Sequence, residues 1–301
     1  MIGRRIETQI VNRARQAAPL AGATRGVARA LRRHGLSVVL ASALLACAQT
    51  LHTDAQQRLN AAVQSRPVVL LGEVHDNPRQ HEMRLAALQA LLASGARPTL
   101  LMEQFDRERQ ADLDAALAAA GASADSVIGA ASAGPRAGWD WRLYRPFVAL
   151  AIEHGLPLVA ANVSRSDARR ASDGGLATLG LEADVPAELE AAQARIIVNS
   201  HCNAIDDPLA RRMSIAQVAR DKVMAQLVET HAPGGAVLLA GNGHVRSDIG
   251  VARWLSSATR QRTLAIGLVE EGDESGAVYD VVVKTVRHAR PDPCAGFSIK
   301  R

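Results

Sequence analysis

No HExxH pair, GxSxG elbow, P-loop or GxGxxG fingerprint occurs in these 301 residues. The short motifs of zinc peptidases, serine hydrolases and nucleotide-binding folds are therefore missing. A membrane-spanning run is missing too: the apolar or small stretch from Leu36 to Ala46 has 11 residues, where about 18 are wanted. Cysteine is scarce, with three in the chain, and so are tyrosine, with two, and phenylalanine, with three. The formal charge of +5 invites a polyanion-binding reading, but its distribution does not support one. Residues 1–46 hold eight arginines against the single acid Glu7, leaving 27 bases and 29 acids in residues 47–301. That remainder is mildly acidic, which excludes nucleic acid as the expected partner.

The basic start has the parts of an export signal: Arg32-Arg33-His34, the 11-residue run, then Leu44-Leu45-Ala46-Cys47. This ending is similar to a lipobox, so residues 1–46 are expected to be a leader and Cys47 the acylated anchor to a lipid bilayer. Simple cleavage near Ala46 is the alternative. Ala48, in place of an aspartate, points to an outer membrane facing the periplasm. In an oxidising compartment Cys202 and Cys294 either pair, tying the C-terminal tail to the loop after Val198, or stay as two buried thiols.

Residues 47–66 read as a tether and short helix, and residues 67–301 as one α/β domain. Apolar runs at 68–72, 99–102, 156–160, 236–240 and 263–267 have the two-sided character of buried parallel strands. Helical patterns lie between them at about 79–94, 106–120, 144–154, 207–231 and 247–257. The expected fold is a mostly parallel sheet flanked by helices, with a helical insertion subdomain over about 164–232. Residues 278–283 alternate and are expected to form an antiparallel edge strand, and the Gly/Ala/Ser stretch 121–138 a mobile loop.

In such a sheet, ligands meet the carboxyl ends of the strands. The runs end in Gly72-Glu73-Val74-His75-Asp76-Asn77, Met102-Glu103-Gln104, Ala161-Asn162 and Gly241-Asn242-Gly243-His244. Glu73, His75, Asp76, Asn77, Glu103, Asn162 and His244 thus form a candidate cleft cluster able to bind a metal or move protons. Asn77 also suits a helix N-cap before Pro78, and His81 faces either the cleft or solvent.

The segment Leu71–Pro78 with His81 resembles the opening motif of ChaN-type haem-binding lipoproteins. The resemblance continues through Met102–Phe105, Trp141–Pro146, Gly155–Asn162, His201-Cys202, Ala216–Asp221, Gly241–Arg246 and Pro291–Cys294, covering about residues 65–297. It implies haem near the junction of core and helical subdomain, with two haem-bearing subunits pairing as a homodimer. It also implies kinship with erythromycin-esterase-like hydrolases and Tiki-type proteases. Haem iron needs an axial donor. Tyr144 is one candidate, with Arg142 and Arg145 near the propionates, though it equally suits helix packing; His201 and His75 are others. Met213 and Met224 suit an apolar wall. The first expected function is an envelope lipoprotein that binds haem in iron uptake or handling. The alternative is a metal-assisted hydrolase in which a divalent ion sits among Glu73, His75, Glu103 and His244.

Overall fold

The computed structural model describes residues 53–132 and 138–295. The leader 1–46 and the acylation site Cys47 lie outside them. Helix α1 covers residues 53–64. After it, β1 (Val68–Leu71), β2 (Thr99–Asp106), β3 (Leu158–Asn162), β4 (Ala236–Leu239), β5 (Thr263–Glu270) and β6 (Val281–Thr285) form one sheet in the order β3-β2-β4-β1-β5-β6. Every pairing is parallel.

Side-chain alternation explains why the strands are apolar on both sides. Val69, Leu71, Leu100, Met102, Val237 and Leu239 point into one core, shared with α2 (Pro78–Ala93) and α5 (Trp141–His154). Val68, Leu70, Leu101 and Leu238 point into a second core, against Met224, Ala225 and Val228 of α8 (Asp207–His231). The connecting helices start where the sequence supplies caps. The Asn77 side chain accepts from Gln80 N with Pro78 following, and Asp140 and Asp206 accept from Arg142 and Leu209.

Three expectations are corrected. The edge strand β6 is parallel to β5, with Ile266 opposite Val281. The chain returns through 271–280 and a 3-10 turn at Ser275–Val278, and Tyr279 packs where a Cβ on Gly267 would collide with its ring. Period-2 alternation reports burial, not strand direction, and so could not reveal this. Residues 121–138 are not one loop: Ala124–Ala131 form α4, opened by a Ser123/Ser126 capping box, with Val127, Ile128 and Ala131 buried. Its alanines are strong helix formers. The segment expected as a helix at 247–257 is also broken, into a 3-10 turn at Val251–Trp254 and α10 (Ser257–Gln261).

Between 164 and 232 lie α6 (Arg165–Gly174), α7 (Ala187–Ser200) and α8, with no strand among the described residues. They share a third core of Ala168, Ala171, Leu189, Val218 and Val223. Helix α8 belongs to both units: Val218 and Val223 pack in the helical core, while Met224 and Val228 pack on the sheet. The α7–α8 loop is bonded to the tail through Cys202–Cys294, with a Cα separation of 5.6 Å. The tail is also held upstream, where Arg290 makes paired bonds to Asp76 and to Glu270.

Candidate functional site

The carboxyl ends of β1 to β4 gather their polar side chains into two neighbouring buried sets. The first centres on Glu73, which is 1 % exposed. Its Oε1 accepts from His75 Nδ1 at 2.7 Å and from the Tyr144 hydroxyl at 3.2 Å. His81 Nε2 lies 3.1 Å from Oε2 and 3.0 Å from the His75 carbonyl oxygen. Behind them, the fully buried Arg84 places its guanidinium 3.7 Å from Glu73 and over the Phe147 ring. Burial alone would raise the Glu73 pKa, but these donors and the Arg84 charge hold it well below the usual carboxylate range. An ionised Glu73 makes His75 Nδ1 the donor, so in the neutral ring Nε2 carries the lone pair. Burial works to lower the His75 pKa, yet the bond to Glu73 and the charge of Glu103 raise it.

The second set is Glu103, His244 and Asp221. His244, in the helical turn α9 (Asn242–Val245), lies 2.6 Å by Nδ1 from Asp221 and 3.5 Å by Nε2 from Glu103. Glu103 also accepts the Gly241 backbone N–H at 2.7 Å, and Asp221 accepts from Gln193. Burial would lower the His244 pKa, but the two flanking carboxylates lift it to about 10. The imidazolium in turn draws Glu103 down to about 2 against its own desolvation.

At these sets opens a cleft of about 570 Å³, lined by His75, Glu103, Trp139, Asn162 and His244 and, from the helical unit, by Arg165 and Arg220. The His75 side chain is 50 % exposed, with Trp139 edge-on at 4.9 Å between ring centres. Gly241 is required here, since a Cβ on it would come within 2.6 Å of His75 Cε1. On the other side of His75 and Trp139, a hollow of about 560 Å³ is bordered by Arg142, Tyr144 and His288.

The structure brings together Glu73, His75, Glu103, Asn162 and His244. The other residues expected at the site take different positions. Asp76 pairs with Arg290, and Asn77 donates to Glu270 while capping α2, so both anchor the C-terminal tail. Tyr144 is 1 % exposed, and its hydroxyl faces Glu73. Burial and the Glu73 charge push its pKa far up, which disfavours the tyrosinate form. Arg145 and Arg142 point outward and pair with Asp125 and Asp140. His201 bonds the Ile197 carbonyl beside the disulfide and is not among the cleft-lining residues. Met224 is fully buried under the sheet, and Met213 packs beside Ile197 and Ala210. His81 is buried behind the cleft.

Among the described residues, no group of three His, Cys, Asp or Glu side chains has metal-binding geometry. The donors named for a divalent ion are instead turned toward one another. Arg84, Asp221, Arg165 and Arg220 are contributors that sequence reasoning did not single out. Arg84 lies three residues after His81, on the stripe Gln80, His81, Arg84, Ala87, Leu88 that α2 buries, so helical spacing could have exposed it. The residues present fit a haem. A half-exposed imidazole backed by a carboxylate is an axial donor for haem iron, Trp139 offers an aromatic edge beside it, and the cleft's arginines suit the acid groups of the porphyrin.

A parallel sheet with imidazoles and carboxylates at its carboxyl edge defines a ligand-binding α/β protein. This chain belongs to the family described as haem-binding uptake, Tiki superfamily, ChaN, which matches residues 59–255. ChaN of Campylobacter jejuni, solved with cofacially bound haem, is similar at 20% identity over 75% of this chain and 89% of that one, with a TM-score of 0.63. An erythromycin esterase, EreC, in its open conformation is similar at 13% identity over 72% and 73%, with a TM-score of 0.44. The type III effector HopBA1 is similar at 14% identity over 78% and 94%, also at 0.44. No curated protein matches the sequence.

Proposed function

We propose that this chain is an envelope lipoprotein that binds haem through His75 and serves in the uptake or handling of haem iron. One observation carries the reading: His75 is half exposed on the cleft, while ionised Glu73 fixes its Nδ1 as donor, leaving Nε2 to coordinate. A carboxylate behind a ligating histidine fixes the tautomer and raises the basicity of the other nitrogen. Bound haem would supply an iron centre with its own redox and ligand chemistry. Glu73, Arg84, His81 and Tyr144 act behind the imidazole, holding its ring and its proton in place. The cleft is open, so a haem seated on His75 leaves one face for a second copy. The cofacial haem of the Campylobacter jejuni protein supports that pairing. The Leu44-Leu45-Ala46-Cys47 ending supports acylation of Cys47, and Ala48 after it supports an outer-membrane location. Mass spectrometry of detergent-extracted protein should find a lipidated N-terminus at Cys47; an unmodified cysteine there refutes the anchor.

The binding test is a visible-absorption titration of the full chain with haemin. A saturable Soret shift is expected, weakened at least tenfold by His75→Ala, while Tyr144→Phe keeps the band position. Absence of any shift in the wild type overturns haem binding. Loss of the band in Tyr144→Phe, with His75→Ala unaffected, would move the iron to the tyrosine.

A further inference from the structure

The cleft has a second polar wall that the His75 reading leaves unexplained. Gln104 at the end of β2 is 3 % exposed and lines the cleft, yet neither its amide nitrogen nor its oxygen has a hydrogen-bond partner. An unpaired buried amide is unfavourable and marks a place where a ligand oxygen or its water is expected. Beside it, Arg165 and Arg220 line the same wall, from the first turn of α6 and from α8. Arg220 makes one long bond, to the Ala216 carbonyl at 3.5 Å, and neither arginine forms an ion pair with a described carboxylate. The two guanidinium groups lie near enough to repel each other, and the nearby carboxylates Glu103, Asp221 and Asp106 offset part of that charge without bonding to it. Ser164, Arg165 and Ser166 add the amino end of α6, whose backbone N–H groups favour an anion.

We infer that Gln104, Arg165, Arg220 and the first turn of α6 form a carboxylate-binding subsite that receives the acid side chains of the porphyrin. Guanidinium groups meet carboxylates through paired, charge-assisted bonds, and here two such groups line a cleft with no described carboxylate bonded to either. The sequence pointed instead to Arg142 and Arg145, which exposed aspartates engage. The subsite rests on the haem reading, and it would make the protein selective for porphyrins with free propionates over esterified or uncharged ones.

The test compares haemin with haemin dimethyl ester, titrated into the full chain in the same detergent and read at the Soret band. The esters keep the iron and the ring but remove both negative charges. Wild type is expected to bind haemin tenfold or more tighter than the ester, as loss of a charge-assisted bond implies. Arg220→Gln should weaken haemin about tenfold, abolish the preference and leave the Soret position unchanged, because iron ligation is untouched. Arg165→Gln, at an exposed position, should reduce the preference even where Arg220→Gln disturbs folding. Equal wild-type affinity for haemin and ester overturns the subsite while leaving haem binding intact, as does a preference that survives both substitutions. Failure of both porphyrins to bind overturns the haem reading and the subsite with it.

Discussion

Arg84→Met removes a guanidinium that has no exposed surface and whose nitrogens have no hydrogen-bond partner. What holds it is charge. At 3.7 Å from Glu73, an effective dielectric near 20 gives an attraction of about 4 kcal/mol. Desolvation opposes this, so the pair's net worth against an apolar substitute is smaller than that figure. Removing one partner alone is another matter, because it strands the other charge in the interior, at about 3–5 kcal/mol. Arg84→Met and Glu73→Gln should therefore each destabilise the protein strongly, whereas the double variant, with neither charge left, should recover a large part of the loss. The assay is urea unfolding of all four proteins followed by circular dichroism, without haemin, so that ligand affinity does not enter. A coupling of about 2 kcal/mol or more is expected. Single variants that simply add, within about 0.5 kcal/mol, would refute the idea that Arg84 acts by holding Glu73 ionised. So would an Arg84→Met protein as stable as the wild type.

Haemin affinity should fall on acidification with a midpoint above the ordinary imidazole value of about 6.5, since the raised His75 pKa means Nε2 takes a proton early; a Soret titration that is flat from pH 5 to 8 would remove His75 as the ligand. His244 stabilises the fold as an imidazolium: its contribution is complete below about 6.5 and is lost as pH rises through about 10. Thermal melts of His244→Gln should accordingly be lower than wild type at pH 7 and converge with it above pH 10, and parallel profiles would refute the assignment. Cys202 and Cys294 are 92 positions apart, so Cys202→Ser with Cys294→Ser should cost up to about 4.6 kcal/mol in the chain-entropy description. Thiol counting on denatured, unreduced wild type should find no free thiol at either position.

The strand order of the core and the edge on which chemistry gathers differ in how far the sequence revealed them. Each apolar run became a strand because a parallel sheet covered on both faces favours side chains that are apolar on both sides, and Val68–Leu71 and Ala236–Leu239 are buried along their whole length. The polar residues that follow such runs are thus assigned to the carboxyl edge by the sequence itself, and Glu73, His75, Glu103 and His244 are found there. Direction and pairing are different quantities. Nothing in Val281–Thr285 states that the strand runs parallel to β5, because that depends on a ten-residue return whose path is set by Tyr279 packing on Gly267.

The orientation of side chains within the site was hidden for a related reason. Tyr144, amid aromatic and basic neighbours, has the composition of a ligand pocket. Helix α5 nevertheless turns its face inward, so that the hydroxyl meets Glu73. Conversely, Arg220 and Asp221 are adjacent in sequence but one helical step, about 100°, apart in direction. Asp221 is buried against His244, and Arg220 faces the cleft. Adjacent letters therefore carry unrelated roles, and only the placement of α8 across both the sheet and the helical unit decides which of them meets a ligand.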